Sequence, residues 1–331
     1  MNNVKLGIIG AGGIAEGIHL PVLSRLENVK LTAVCDLRAE RAERMAELYG
    51  IPSSYTSYHE MLEEEELDAV FVLTQPDALF RAANDCLRFG LHVFMEKPLG
   101  ITAYQARTLR DSAVAQGCVL HAGFNRRYIP LVREALRIVR ETAEITLAEG
   151  RFYKNSSPAF YDGCSNAFMC DVVHCVDLVR HVAGEGVTSS ALLESREESW
   201  HALMRFEGGA AGVVRSHYAT GGRVHEFEFH GPGVSAYIDL GFGGPGCSAK
   251  ILRALSPGRQ SISAMGAGDT EVIELDGMAL AGSERYEDYY GYRDGDAAFI
   301  RAVLNGGPDL PRMNEDVATM ELMERLLQSR I

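Results

Sequence analysis

Short apolar runs alternate with longer helical patterns over the first third of the chain. Continuous apolar runs, typical of strands buried on both faces, occur at residues 4–9, 30–35, 69–73, 92–95 and 118–122. Helical patterns separate them, at residues 14–26, 39–49, 78–89 and 103–115. Apolar strands that alternate with helices predict a parallel sheet covered by helices on both faces. We therefore expect a doubly wound α/β domain in the first part of the chain.

The pattern changes after about residue 123. The next elements are a helix at 129–141, a strand at 145–153 and a helix at 168–183. Strands with tight turns follow, at residues 200–206, 210–217, 224–230 and 234–239, before two closing helical patterns. Such short strands with glycine turns are typical of an antiparallel sheet. The predicted domains are residues 1–122, with the parallel sheet, and residues 123–331, an α+β domain with an open, mainly antiparallel sheet.

Composition and charge narrow the class of protein. The chain has 32 Lys and Arg against 45 Asp and Glu, a formal net charge of −13. Such an acidic surface argues against a nucleic-acid partner, although an anionic small molecule could bind in a local basic pocket. No apolar stretch approaches the roughly 18 residues that span a bilayer. Seven scattered cysteines favour reduced thiols over a disulfide framework. We expect a cytoplasmic protein with no membrane partner.

A glycine-rich turn joins the first predicted strand to the first helix. Residues 10–15 read GAGGIA, which is a G-x-G-x-x-A pattern. Gly10 permits a tight turn, Gly12 lets the backbone approach a pyrophosphate, and the closing alanine lets helix and strand pack closely. The helix N-terminus adds free N–H groups and a partial positive charge. The pattern predicts a dinucleotide site, with Gly10, Gly12, Gly13 and Ile14 among its binding residues.

An acidic residue, Asp36, ends the second predicted strand. It lies roughly 20 residues after the glycine pattern, where a carboxylate accepts hydrogen bonds from ribose hydroxyls. A carboxylate there repels the 2′-phosphate of NADP and favours NAD, whereas Arg38 offers that phosphate a partner. We predict NAD, with NADP possible, and we include Asp36, Leu37 and Arg38 among the cofactor-binding residues.

The strand at residues 92–95 is followed directly by Glu96, Lys97 and Pro98. Ligands bind at the carboxyl ends of the strands in open α/β sheets, so we expect Lys97 near the nicotinamide. The proline fixes the local backbone, and its peptide bond could be cis. The alternative is a Glu–Lys pair on the surface at the end of a strand.

Three ionisable residues share one face of the predicted helix at 168–183. Asp171, His174 and Asp177 are spaced by three, while valines imply that much of the helix is buried. Buried ionisable side chains need partners or a site. A histidine can transfer a proton near neutral pH, and an adjacent carboxylate can orient it; a hydrogen-bonded core histidine is the alternative. The neighbouring cysteines lack the paired spacing of structural zinc sites, so we expect no metal.

These segments together resemble the glucose–fructose oxidoreductase / inositol dehydrogenase / MocA (Gfo/Idh/MocA) family of dinucleotide-dependent oxidoreductases. The resemblance spans nearly the whole chain and includes the glycine pattern, Leu20-Pro21, Cys35-Asp36, Glu96-Lys97-Pro98, residues 123–128 and His174-x-x-Asp177-Leu178. It implies an N-terminal Rossmann domain and a second domain whose outer sheet face forms homodimers or homotetramers. It also implies hydride transfer between NAD(P) and a secondary alcohol or ketone of a sugar, sugar derivative or cyclitol.

The resemblance also implies roles for single residues. Lys97 polarises the reacting hydroxyl or carbonyl, His174 is the acid/base partner, and Asp171 binds substrate or orients His174. Besides Glu96, the residues expected to line the cofactor cleft are Thr74, Gln75 and Pro76. Arg126 and Tyr153 are further candidates for hydrogen bonds to a polyol substrate.

Two positions depart from the family pattern. Phe80 replaces a histidine that many relatives have, and Cys170 takes the place of a carboxylate four residues before His174. A variant site, and hence an unusual substrate, is consistent with these changes. Two other functions stay open on this scaffold: a glycosidase or lyase that uses NAD transiently, and a non-catalytic protein that senses the dinucleotide. Retention of both Lys97 and His174 argues against the sensor.

Overall fold

The computed structural model describes residues 3–156, 166–196, 198–241, 246–255 and 270–331. They form two compact units. The first comprises the described parts of Met1–Asn125, Ala159–Asp171 and Tyr292–Glu324, and the second those of Arg126–Pro158, Val172–Gly291 and Arg325–Ile331. Each unit is built from several segments of chain, whereas the division predicted from the sequence cuts the chain once, after residue 122.

A parallel sheet of six strands forms the centre of the first unit. Its strands are β1 (Val4–Ile9), β2 (Val29–Cys35), β3 (Ser53–Tyr55), β4 (Ala69–Val72), β5 (His92–Met95) and β6 (Leu120–Ala122). They lie in the order β3-β2-β1-β4-β5-β6, and all neighbours pair in parallel. The winding therefore reverses between β1 and β4, which opens a crevice at the carboxyl ends of these strands. The predicted doubly wound Rossmann sheet is confirmed.

Helices supply the rest of the first unit. A π-helical turn (Ala15–His19) leads into α1 (Leu20–Leu23), and the following helices are α2 (Ala39–Tyr49), α3 (Tyr58–Glu64), α4 (Pro76–Arg88) and α5 (Ala103–Gln116). Near the end of the chain come α10 (Tyr292–Asn305) and α11 (Leu310–Gln328). Phe299 of α10 is buried in the same apolar core as Ile8 and Phe71. The late segment of the chain thus completes the core of the first sheet.

An eight-stranded sheet forms the centre of the second unit. Its strands are β7 (Leu147–Asn155), β8 (Val187–Ser195), β9 (Ser199–Phe206), β10 (Ala211–His217), β11 (Ala219–Gly231), β12 (Val234–Asp239), β13 (Ser248–Ala254) and β14 (Thr270–Asp276). Their order is β14-β13-β12-β11-β7-β10-β9-β8. β7 and β10 pair in parallel, and the other neighbours in this order pair antiparallel. The prediction of a mainly antiparallel sheet is confirmed.

Helices pack against one face of the second sheet. The helices of this unit are α6 (Pro130–Thr142), α7 (Val173–Ala183), α8 (Gly277–Ala281) and α9 (Tyr286–Tyr289). α7 packs on β7 and β10, and α6 packs on β11 and β12. Phe227 and Phe229 point to this side and are buried, while Glu226 and Glu228 alternate with them on the outer face. In the described ranges of both units, no helix combines the length and apolar character needed to cross a bilayer.

Candidate active site

The glycine turn lies at the reversal point of the first sheet. Gly10 has a φ of +100°, and a Cβ there would lie 2.7 Å from the Leu73 carbonyl oxygen and 3.2 Å from the Thr74 nitrogen. Only glycine fits this position without displacing the end of β4. A Cβ at Gly12 or Gly13 would meet nothing within 4 Å, so the backbone there borders open space. The turn therefore has the geometry that a closely approaching phosphate group needs.

Asp36 lies at the end of β2, next to the glycine turn. Its Oδ2 accepts the Ala11 backbone N–H at 2.8 Å, and its Oδ1 accepts the Arg38 N–H at 2.9 Å. The structure thus brings together the two parts of the predicted cofactor site and fixes the carboxylate in orientation. Leu37 and the Arg38 side chain are exposed beyond it.

The turn after β4 contains Thr74, Gln75 and Pro76. It adjoins the glycine turn, because the Thr74 nitrogen is among the atoms nearest to a Cβ at Gly10. Pro76 begins α4, where its missing N–H costs no helical hydrogen bond. These three residues therefore lie at the same sheet edge as Gly10, where the sequence placed the cofactor cleft.

Glu96 and Lys97 follow β5 at that edge. Glu96 is buried, and its Oε2 accepts the Lys97 backbone N–H at 3.1 Å. The Lys97 ammonium donates to the Cys170 carbonyl oxygen at 2.9 Å, and the Lys97–Pro98 bond is cis. Lys97 consequently lies against the chain segment that continues into Asp171.

Sequence reasoning missed a buried histidine that contacts Glu96. His19 Nε2 lies 3.2 Å from Glu96 Oε1, and His19 Nδ1 lies 3.0 Å from Asp296 Oδ2. Burial disfavours the imidazolium, but the two carboxylates outweigh burial and raise the pKa of His19 to about 10. His19 is therefore protonated at neutral pH and links β5 to α10. The only signal in the sequence was its position directly before Leu20-Pro21.

The histidine helix begins with a π-helical turn, Phe168–Val172, which continues into α7. Asp171 and His174 are both buried, at 4% and 6% exposure. Asp177 is also buried, but it forms a bidentate ion pair with Arg127, whose Nε donates at 2.8 Å. Asp177 thus has a structural partner, and its pairing with Arg127 was not expected from the sequence.

The two remaining predicted substrate residues lie on different faces of the second sheet. Arg126 is buried, and its guanidinium lies 5.1 Å from the centre of the Phe152 ring, on the helix-covered face. Tyr153 follows Phe152 along β7, so its side chain points to the opposite face. The structure therefore does not bring Arg126 and Tyr153 together, and the role of Tyr153 stays a prediction.

Thiols and metals complete the description of the site. In the part of the chain that the structure describes, five cysteines are free: Cys35, Cys86, Cys118, Cys175 and Cys247. Cys170 is disulfide-bonded, so the expectation of reduced thiols is wrong at this position; Cys164 lies outside the described residues. Burial raises the pKa of the Cys175 thiol to about 12, which makes it a poor nucleophile at neutral pH. Among the described residues, no group of three or more His, Cys, Asp or Glu side chains could hold a metal ion.

The residues of the first unit fit a bound dinucleotide. The open backbone at Gly12 and Gly13 leaves room for a pyrophosphate at the start of a helix. The oriented carboxylate of Asp36 is placed to accept hydrogen bonds from ribose hydroxyls, since each oxygen keeps a second lone pair. Sheet order and site together define a dinucleotide-binding Rossmann protein.

Comparison with known proteins finds a matching family model and several relatives. The model of the Gfo/Idh/MocA family, an oxidoreductase family with an NAD-binding Rossmann fold, matches residues 4–124. Myo-inositol 2-dehydrogenase from Thermotoga maritima is 26% identical over 246 residues, which cover 68% of this chain and 72% of the relative. D-glucoside 3-dehydrogenase from Escherichia coli is 34% identical over 125 residues, 38% of this chain and 36% of the relative.

A solved structure extends the likeness over both units. KijD10, a 3-ketoreductase from Actinomadura kijaniata crystallised with NADP, has a TM-score of 0.80 at 21% identity and covers 99% of this chain and 98% of its own. At this identity the likeness establishes the fold alone. Over residues 4–124 the chain matches the NAD-binding Rossmann domain of the Gfo/Idh/MocA oxidoreductase family, and the comparisons support an enzyme that uses NAD or NADP.

Proposed function

We propose that the protein transfers a hydride between NAD(H) and a secondary alcohol, or the matching ketone, of a sugar, sugar derivative or cyclitol. The observation that supports this most is Lys97, whose ammonium lies 2.9 Å from the Cys170 carbonyl, on the segment that leads through Asp171 to His174. A fixed ammonium stabilises the oxyanion that develops when a hydroxyl loses its proton. The inositol and glucoside dehydrogenases among the relatives support the substrate class.

In this mechanism a dinucleotide held by the glycine turn and Asp36 would supply the hydride-transfer chemistry. Lys97 donates a hydrogen bond to the reacting oxygen and stabilises its negative charge in the transition state. His174 takes the hydroxyl proton during oxidation and returns it during reduction. Asp171 orients the imidazole or binds a neighbouring hydroxyl. The burial of Asp171 and His174 keeps water away from both groups.

We propose that NAD is preferred over NADP. The Asp36 carboxylate is held by two backbone N–H groups, so it cannot turn away from a 2′-phosphate without losing both hydrogen bonds. A fixed negative charge there repels that phosphate. The exposed Arg38 side chain is the group that would compensate if NADP were accepted.

The test is the Lys97→Ala variant. We expect turnover to fall by about 100-fold or more, because a charge that acts mainly on the transition state is lost. NADH affinity, measured by nucleotide fluorescence, should stay nearly unchanged. Lys250→Ala, at an exposed position of β13, is the matched control. Wild-type turnover in Lys97→Ala with a verified substrate would remove Lys97 from the mechanism.

We also propose a cytoplasmic homodimer or homotetramer that associates through the outer face of the second sheet. This face is not covered by α6 or α7, and it exposes large apolar side chains, with Leu203 at 59% and Tyr237 at 41%. Arg151 pairs there with Glu226 and Glu228. Exposed apolar side chains beside self-complementary charges suit contact between two copies of one chain. The mass in solution, measured by light scattering, tests this assembly.

A further inference from the structure

Three cations surround a buried histidine in the second unit. Arg126, Lys154 and Arg223 lie about His225, on the helix-covered side of β7 and β11. The chain as a whole has a net charge of −13. Three positive charges close together are therefore unusual in so acidic a protein. We call Arg126, Lys154, Arg223 and His225 the basic cluster.

Hydrogen bonds fix the histidine within the basic cluster. Amino groups of Arg126 and Arg223 each lie 3.3 Å from His225 Nδ1. Guanidinium groups only donate, so Nδ1 accepts and the ring hydrogen is on Nε2. The Tyr290 hydroxyl, 3.1 Å from Nδ1, accepts from Arg223 at 2.8 Å. The histidine thus holds both arginines in place.

Aromatic rings support the cations. The Phe152 ring stacks on His225, with centres 4.0 Å apart, and lies 4.9 Å from the Lys154 ammonium. Tyr290 lies 5.4 Å from the Arg223 guanidinium and 5.8 Å from that of Arg126. Ring faces stabilise cations that have left water, but they cannot accept a directed hydrogen bond as an anion does.

Two donors of the basic cluster lack an acceptor. Arg126 Nε and His225 Nε2 are buried and have no hydrogen-bond partner among the described residues. The two side chains are 4% and 1% exposed. The pKa of His225 lies well below its usual value, mainly because the ring is buried and also because of the charges of Arg126, Arg223 and Lys154. The imidazole therefore stays neutral. Buried donors without partners are unfavourable, and a ligand oxygen would satisfy them.

We propose that the basic cluster binds a carboxylate or phosphate group of the sugar substrate. Arginine forks and a lysine ammonium are the donors that such groups prefer. The charge of Arg126 also acts on the Cys175 thiol, which follows His174 in α7. The basic cluster is thus close to the helix that provides the proposed acid–base residue. The substrate is then a sugar acid or sugar phosphate, an inference that rests on the proposed function.

The experiment is calorimetry with four anions and their neutral parents, with and without saturating NADH. The probes are D-glucuronate, D-galacturonate, glucose 6-phosphate and galactose 6-phosphate, against glucose and galactose. The variants are Arg223→Gln and Lys154→Gln, both at half-buried positions, and folding is checked by circular dichroism. Arg205→Gln, exposed on the outer face of β9, is the matched control.

At least one anion should bind about tenfold more tightly than its neutral parent, with the preference reduced about tenfold in Arg223→Gln or Lys154→Gln but not in Arg205→Gln. Preference for the uronates identifies a carboxylate, and preference for the sugar phosphates identifies a phosphate. Equal binding of neutral and anionic sugars, or binding of no anion, overturns the inference. Binding of these anions without binding of NADH would support the anion site in the basic cluster but contradict the proposed function. The two proposals can therefore fail separately.

Discussion

Two buried histidines, one in each unit, have opposite surroundings. His19 lies between the carboxylates of Glu96 and Asp296, whereas His225 lies among arginines and a lysine. Both imidazoles are almost completely buried, at 0% and 1% exposure. Burial alone would make both neutral, so the partners decide the difference. His19 is an imidazolium, and His225 is a neutral ring.

The comparison distinguishes a histidine that stabilises the fold, His19, from one that belongs to a proposed ligand site, His225. In the first unit, the charge of His19 is balanced by its own protein, and the imidazolium joins the helix after the glycine turn to β5 and α10. In the second unit, three cationic side chains surround His225, whose ring is neutral and brings no negative charge to the group. Charges that the protein itself neutralises stabilise the fold, whereas buried donors without an acceptor in the described part of the chain, such as Arg126 Nε and His225 Nε2, favour the binding of an anion.

The largest expected effect comes from breaking the balanced cluster with Asp296→Asn. The buried imidazolium loses its main partner, and the free energy of unfolding should fall by about 3–5 kcal/mol. Urea unfolding at neutral pH measures it. Asp294→Asn, which removes a carboxylate paired with Arg293 near the surface, should cost less than about 1 kcal/mol. Equal effects of the two variants would show that His19 is not held by charge.

The pH dependence of stability should have opposite signs at the two histidines. The pKa of His19 is raised from 6.5 to about 10, so its contribution is complete below pH 6.5 and is lost as the pH rises through 10. The pKa of His225 lies below 6.5, so its contribution is complete above pH 6.5 and is lost as the pH falls. Each slope is at most about 1.4 kcal/mol per pH unit.

The measurement compares wild type with His19→Gln and His225→Gln by urea unfolding between about pH 5.5 and 9. The difference between wild type and His19→Gln should shrink toward alkaline pH. That between wild type and His225→Gln should shrink toward acid pH. Two differences that move in the same direction would contradict the assigned protonation states.

The smallest expected effect comes from Tyr290→Phe, which tests the hydrogen bonds within the basic cluster. The variant removes the hydroxyl that contacts His225 Nδ1 and Arg223 but keeps the ring beside the guanidinium groups. We expect a loss of about 1 kcal/mol in the free energy of unfolding, since one buried hydrogen-bond acceptor disappears. Tyr237→Phe, exposed on the outer face, should change it by less than about 0.5 kcal/mol. If Tyr290→Phe left the free energy of unfolding unchanged, the hydroxyl would not hold the arginines in position.

Sequence patterns predicted the parts of the fold that depend on neighbours in the chain. The roles of the glycine turn and Asp36 follow from local backbone rules, and the structure brings the two together as expected. The proline after Lys97 allowed a cis bond, which the structure contains. Buried parallel strands were recognisable because both of their faces are apolar. These features need no knowledge of what lies far away along the chain.

The partners of buried charges could not be predicted, because they depend on tertiary packing. His19 and Asp296 are 277 positions apart, and Arg127 and Asp177 are 50 apart. Nothing in the local pattern of either segment specifies the other. The same limit applies to Tyr153, whose sheet face depends on the register of β7 with its neighbours.

The late position of α10 has a consequence for synthesis. During translation His19 and Glu96 are made long before Asp296, which is 277 residues beyond His19. The six strands of the first sheet can thus all be present while the counter-charge and the core residue Phe299 are still missing. A ribosome-bound chain would therefore hold an incomplete first unit until the second sheet and then α10 have been translated. The first unit cannot be expressed as one uninterrupted fragment, because its last segment, Tyr292–Glu324, comes after the whole second sheet.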